Sequence, residues 1–120
     1  TACMDAKKNA KKNDCHNVRF IAADAGEFMV ALAGDKTAVK PSVVFMDPPR
    51  SGSDAKFINS VAKLAPEKIV YISCNPATQK TDIDSFKKKG YRVEKMQAVD
   101  CFCHTWHVEN IALLVRNQTK

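Results

Sequence analysis

The chain has 120 residues, 45% of them apolar and 27% charged, enough for one ordinary globular domain with a real core. No apolar run approaches the roughly 20 residues a membrane helix needs, and Thr1-Ala2-Cys3-Met4 lacks the basic start and long apolar core of a secretory signal. A net charge of +6 suits a polyanionic partner, although solubility alone explains it equally well. Five scattered cysteines cannot all pair internally, which points to a reducing, cytoplasmic compartment. The chain starts without Met in a stretch that already reads as helix, so a piece of a larger protein is expected.

Ala2, Ala6 and Ala10 recur at i,i+4 spacing among Lys7, Lys8, Lys11 and Lys12. Residues 2–13 therefore read as an amphipathic helix with a small apolar face and a basic outer face, ended by Asn13-Asp14. Val18–Ala23 reads as a short strand with Asp24 at its C-terminal end, followed by a helix through Leu32 and a turn at Gly34-Asp35. Val43-Val44-Phe45-Met46 is an unbroken apolar run of the kind buried on both faces of a parallel sheet. Asp47-Pro48-Pro49 ends it, because two prolines cannot continue a central strand. Phe57, Ile58, Val61, Ala62 and Leu64 keep helical spacing, and Ile69–Ile72 is a second buried strand that runs into Ser73-Cys74-Asn75-Pro76. Ile83 and Phe86 mark a further helix, closed by Lys87-Lys88-Lys89-Gly90, a basic last turn followed by Gly. Tyr91–Val99 and Val108–Val115 are two more strands, and the short loop 100–107 between them suits an antiparallel pair.

A helix, then strand–helix three times, then two strands, is the alternation of an α/β sheet with helices on its faces. Such folds bind ligands beyond the carboxyl ends of their strands. Three strand ends carry Asp24, Asp47-Pro48-Pro49-Arg50 and Ser73-Cys74-Asn75-Pro76, which puts a site there. Cys74, before a helix N-terminus, is either a thiol of lowered pKa or a small buried hydrophobe. Asp47-Pro48-Pro49-Arg50-Ser51-Gly52 either presents a fixed carboxylate and bare carbonyls to a planar ligand or simply ends a strand. Glu109, beside the apolar run Ile111–Val115, is either a general base with a raised pKa or an edge carboxylate in water. Cys101, Cys103, His104 and His107 are four soft or borderline ligands, but structural zinc pairs are spaced C-x-x-C rather than C-x-C, so no metal is expected. The basic runs at Lys7–Lys12 and Lys87–Arg92 read first as solvated helix faces, which leaves Arg50 as the phosphate contact.

Three segments together resemble the RNA (uracil-5-)-methyltransferase family: 44–52 (Val-Phe-Met-Asp-Pro-Pro-Arg-Ser-Gly), 69–78 (Ile-Val-Tyr-Ile-Ser-Cys-Asn-Pro-Ala-Thr) and 102–109 (Phe-Cys-His-Thr-Trp-His-Val-Glu). Asp-Pro-Pro alone is unspecific; Ser-Cys-Asn-Pro followed by His-Thr-x-His-Val-Glu is specific, since both elements serve one reaction. The resemblance implies a Rossmann-like class I S-adenosylmethionine-dependent methyltransferase fold, of which residues 1–120 are the C-terminal portion of the catalytic domain. It implies methyl transfer from S-adenosylmethionine to carbon 5 of a uridine in ribosomal or transfer RNA, and the His-Thr-x-His-Val-Glu segment leans toward ribosomal RNA and rRNA processing. Cys74 would be the nucleophile that adds to carbon 6, and Glu109 the base that removes the carbon-5 proton. Asp47 would border cofactor and base, and Asp24 the cofactor's adenine. Pro48, Arg50, Phe102 and His104 would meet the substrate, with Phe102 or Trp106 stacking on the unstacked base.

The chain departs from the family pattern in three places. Cys103 stands where proline is usual, which loosens its loop. Gln79-Lys80-Thr81 replaces a hydrophobic-to-arginine stretch and is expected to alter an RNA contact. No G-x-G is present, so the Gly-rich cofactor loop and the first two strands would lie upstream of Thr1. Two ladder edges are then left unpaired, from which either direct pairing of the Val18 and Val43 strands or dimerisation follows. The fragment alone is expected to be inactive. Two rivals remain open at this point, an amino-directed methyltransferase of the same fold and a non-catalytic RNA-binding module.

Overall fold

A computed structural model describes residues 1–118. The elements in chain order are α1 (Ala2–Lys12), α2 (Ala25–Gly34), β1 (Val43–Met46), α3 (Ala55–Leu64), β2 (Lys68–Ser73), α4 (Pro76–Lys88), β3 (Tyr91–Val99) and β4 (Glu109–Arg116). The helix starts are capped by side chains that accept an otherwise unpaired backbone N–H: Asp24 from Glu27, Asp54 from Phe57 and Asn75 from Ala77. Pro76 follows Asn75 in the first turn of α4, where no donor is missed. Gly90, at φ +94°, releases the chain from α4 into β3.

The four strands form one mixed sheet in the order β1-β2-β4-β3. β1 and β2 are parallel, joined through α3, and β4 inserts antiparallel between β2 and β3. The short connection 100–107 thus makes the antiparallel pair its length implies. The outer strand β3 carries a register irregularity between Val93 and Lys95, a break of the kind that discourages further edge pairing.

Helices α2, α3 and α4 pack beside one another on one face of the sheet. Met46, Ile69, Tyr71, Ala112 and Leu114 point from the strands into this layer, where Met29, Val61, Leu64 and Phe86 meet them. Tyr91 stacks edge-on with Phe86, ring centroids 5.9 Å apart, and donates its hydroxyl to the Pro66 carbonyl. The opposite sheet face carries Val70, Ile72, Ile111 and Leu113, all only half-buried. The expectation that Val43–Met46 is buried on both faces is therefore corrected. Val43 and Phe45 point to the uncovered side, and Phe45 is 72% exposed. Ile69–Ile72 shows the same alternation, with Ile69 and Tyr71 buried and Val70 and Ile72 half-buried. Helices cover one face, not both.

A second correction concerns Val18–Ala23, which forms no strand. A strand exists only when a neighbour takes its backbone hydrogen bonds, and β1 pairs with β2 alone. Direct pairing of the Val18 and Val43 segments is thereby excluded. Asp24 consequently ends no strand but caps α2. The helix expected at residues 2–13 is present as α1, but none of its residues is buried, so its small apolar face stays outside the core. Among the described residues no helix is long and apolar enough to cross a membrane.

Candidate active site

The site lies at the carboxyl ends of β1 and β2. A cleft of about 570 Å³ opens there between α2, α3 and the chain leaving β1. Asp24 and Gly26 line one side, Asp47, Pro48 and Pro49 another, and Met46 and Phe57 supply apolar wall. Asp24 and Asp47, 23 positions apart in sequence, therefore share one cavity. The prolines fix the backbone direction after β1, and the turn closes with Gly52 N–H donating to the Pro49 carbonyl at 2.8 Å.

Cys74 is the first residue past β2 and is half-buried. The β2–β4 ladder ends at the pair Ser73–Asn110; Cys74 is the next residue after β2 and Glu109, half-buried, the first residue of β4, so the two flank the last rung. The turn around Cys74 is tightly held. Ser73 Oγ donates to the Asn75 carbonyl and accepts from the Asn75 N–H, both at 3.0 Å.

The Asp47–Gly52 loop is bound to the start of α4. Asn75 Nδ2 and Thr78 Oγ1 both donate to the Arg50 carbonyl, at 3.1 and 2.9 Å. The Arg50 guanidinium in turn lies 3.2 Å from His107 Nδ1, joining this loop to the one between β3 and β4. Phe102 stands edge-on to His107, with ring centroids 6.5 Å apart. That loop is braced internally, with Thr105 Oγ1 donating to the Phe102 carbonyl at 2.7 Å and accepting from the His107 N–H at 3.3 Å. His104 sits in the left-handed region at φ +67°, a conformation a non-glycine residue rarely adopts. Trp106 is 98% exposed.

All three sequence segments thus converge on one end of the sheet. Cys74, Glu109, Arg50, Phe102 and His104 do not line the cleft itself, whereas Asp24, Asp47 and Pro48 do. His107, rather than His104, is the histidine that meets Arg50. Gln79 is a correction: at 1% exposure it is closed to RNA. Its side-chain amide Nε2 donates to the Tyr71 and Asn110 carbonyls, and its Oε1 accepts from Asn110 Nδ2 at 2.7 Å. Sequence reasoning also left Asp82 aside. Its buried carboxylate accepts from the Tyr71 hydroxyl at 2.6 Å and from the Ser53 N–H at 2.9 Å. Burial, and then the hydrogen bond to Asp82, push the Tyr71 phenol well above its ordinary pKa.

The mixed sheet with helices packed on it, and a cleft at its strand ends walled by Asp-Pro-Pro, is a partial domain of the Rossmann-like fold of S-adenosylmethionine-dependent methyltransferases. A precorrin-6y C5,15-methyltransferase from Geobacter metallireducens shares this fold, with a TM-score of 0.64 at 19% identity over 92% of this chain and 60% of its own. A Pyrococcus abyssi tRNA (uracil-54, C5)-methyltransferase, solved with S-adenosyl-L-homocysteine, superposes with a TM-score of 0.72 at 34% identity, over 95% of this chain and 26% of its own. An uncharacterized RNA methyltransferase of Streptococcus pyogenes serotype M18 is 43% identical over 115 residues, and one of Clostridium tetani 42% over 113. These alignments cover 96% and 94% of this chain. The model of the tRNA (Uracil-5-)-methyltransferase family matches residues 1–117, and the chain belongs to that family. It spans about a quarter of the length of these two curated relatives, 24% of each.

Proposed function

We propose that the chain is the C-terminal portion of the catalytic domain of a longer protein, the parent, which methylates carbon 5 of a uridine in RNA. The observation that carries this reading is that Cys74 and Glu109 flank Ser73–Asn110, the last rung between β2 and β4, beside the Asp47–Arg50 loop. A nucleophile and a base at neighbouring strand ends are what this reaction needs, because carbon 5 of uracil is a poor nucleophile until a thiolate adds next to it.

The cleft fits one part of S-adenosylmethionine. Met46, Pro48 and Phe57 offer apolar surface to a flat ring, and Asp24 and Asp47 offer acceptors to amino and hydroxyl groups. When bound, the cofactor supplies an electrophilic methyl group. The Cys74 thiolate forms the S–C6 bond and drives the C5=C6 electron pair toward O4, which makes carbon 5 nucleophilic. Once carbon 5 carries the methyl group, the Glu109 carboxylate takes its proton. The C5=C6 bond reforms and the C6–S bond breaks, returning the thiolate. A reducing cytoplasm keeps Cys74 free for this role. The target base must leave its stack to reach Cys74. Arg50, with Pro48, Phe102 and His104, then meets the RNA. The His104–Glu109 wording favours ribosomal RNA, whereas the Pyrococcus neighbour carries a transfer RNA name, so both RNAs belong in the assay.

In the parent, Cys74→Ala is expected to abolish methyl transfer. Glu109→Gln is expected to slow turnover about a hundredfold or more, the usual contribution of a general base. It should also accumulate a covalent RNA complex on natural substrate. Methyl transfer retained by Cys74→Ala would overturn the mechanism in favour of an amino-directed enzyme.

A further inference from the structure

Asp82 is a carboxylate at 6% exposure in the second turn of α4. A buried carboxylate is costly unless its partners are well placed. Among the described residues no Lys or Arg pairs with it. One of its two hydrogen-bond partners, the Ser53 amide, comes from the loop that leaves β1. The loop is shaped to this oxygen. Gly52 stands at φ +83°, and a Cβ there would lie 3.0 Å from Asp82 Oδ2 and 3.3 Å from Thr78 Cβ. Nearer the start of α4, its N-cap Asn75 and Thr78 hold the Arg50 carbonyl of the same loop. The loop's other side, from Asp47 to Ser53, walls the cleft. The helix that grips it begins two residues after Cys74. Asp82 therefore sits between the wall of the cleft and the element that carries the nucleophile.

We propose that Asp82 is a positioning residue: by fixing Ser53 and Gly52 on α4 it sets the cofactor-cleft wall at a constant relation to Cys74. This rests on the reading of the cleft as the cofactor site. A merely structural Asp82 would support the core without affecting what the cleft binds.

The test measures S-adenosylhomocysteine affinity of the parent by calorimetry, well below every variant's melting temperature. Asp82→Ala is expected to weaken binding about tenfold or more, the scale of losing hydrogen bonds to a charged acceptor. Asp82→Asn, whose carbonyl oxygen can still accept from Ser53 and Tyr71, should stay within about threefold of the unaltered protein. Phe86→Leu, a core change on the same helix remote from the loop, should lower the melting temperature and leave affinity unchanged. Gly52→Ala tests the same grip without touching the core, since its Cβ must push the loop off Asp82, and should weaken binding in the same direction. Unchanged affinity in Asp82→Ala and Gly52→Ala overturns the proposal; if Asp82→Ala does not fold, Gly52→Ala alone decides. No binding by the unaltered parent sinks the cofactor reading itself, and this proposal with it.

Discussion

Gln79 and Asn110 form a buried polar pair whose energetics can be worked out from its geometry. Gln79→Leu keeps the volume but leaves Asn110 Nδ2 without its acceptor at 2.7 Å and takes a donor from the Tyr71 and Asn110 carbonyls. A buried unsatisfied group costs about 1–3 kcal/mol, so the single change should cost roughly 3 kcal/mol. Asn110→Val strands Gln79 Oε1 and should cost about 2 kcal/mol by the same argument. The double variant removes both polar side chains and replaces them with apolar ones suited to a helix and a strand. Only the Tyr71 and Asn110 backbone carbonyls still lack the Gln79 donor, so the double change should cost about 2 kcal/mol. The coupling between the two positions is then about 3 kcal/mol, at the top of the range usual for contacting residues. Urea denaturation of the 120-residue chain, followed by circular dichroism, measures all four corners of the cycle. With a slope near 1.5 kcal/mol per M, the Gln79→Leu midpoint should fall by about 2 M, and adding Asn110→Val should raise it again rather than lower it further. Additive costs, or a Gln79→Leu midpoint unchanged within error, would refute the account of Gln79 as a structural bridge between α4, β2 and β4.

Both tyrosines of the chain, Tyr71 and Tyr91, have phenols pushed up by burial, Tyr71 further by Asp82, with Arg116 partly opposing the shift at Tyr91. Because the folded state holds these protons more tightly, their contribution to stability is complete below the ordinary pKa of 10.0 and is lost as pH rises through the folded values. Absorbance at 295 nm should therefore show no tyrosinate in the native chain near pH 10 and a cooperative rise only on alkaline unfolding; reversible ionisation of either phenol near pH 10 would contradict the burial argument. Trp106, the chain's one tryptophan, should stack on an unpaired base: Trp106→Ala is expected to raise the parent's RNA dissociation constant about 5- to 150-fold with little change in single-turnover rate, and Trp106→Phe to retain most of the affinity. Equal affinities across the three would assign stacking to Phe102 instead. The isolated chain should self-associate through the free edge of β1 and its exposed Val43 and Phe45, so light scattering on a size-exclusion peak should give a dimer; a clean monomer at tens of micromolar would remove that expectation.

What the sequence disclosed were features set by local pattern. The apolar runs at 43–46 and 69–72, the Asn75-Pro76 entry to α4 and the Lys87–Gly90 stop are all readable from a few neighbours, and each marks a real element or boundary. Val18–Ala23 has strand character but no strand partner among the described residues, and sequence pattern cannot supply one. Phe45 reads as core because a parallel strand is ordinarily sandwiched between helices; here the second helix layer is missing from that face. The site's supporting residues were hidden for another reason. Gln79 and Asp82 lie on a polar helix, where inward-facing and outward-facing side chains share one composition. Only the fold reveals that these two face β2, while Lys80 and Asp84 pair in solvent at 2.8 Å. His104 and His107 are equivalent in composition, and the loop's turn decides which one reaches Arg50.

The central claim, that Cys74 and Glu109 act as nucleophile and base on one uracil, is tested most directly with the parent protein and an RNA carrying 5-fluorouridine, with S-adenosylmethionine present. Fluorine at carbon 5 cannot leave as a proton, so addition and methylation should proceed and elimination should stop. The account predicts a complex that survives denaturation, maps to Cys74 by peptide mass, and disappears in Cys74→Ala. RNA that binds but forms no covalent complex would contradict it.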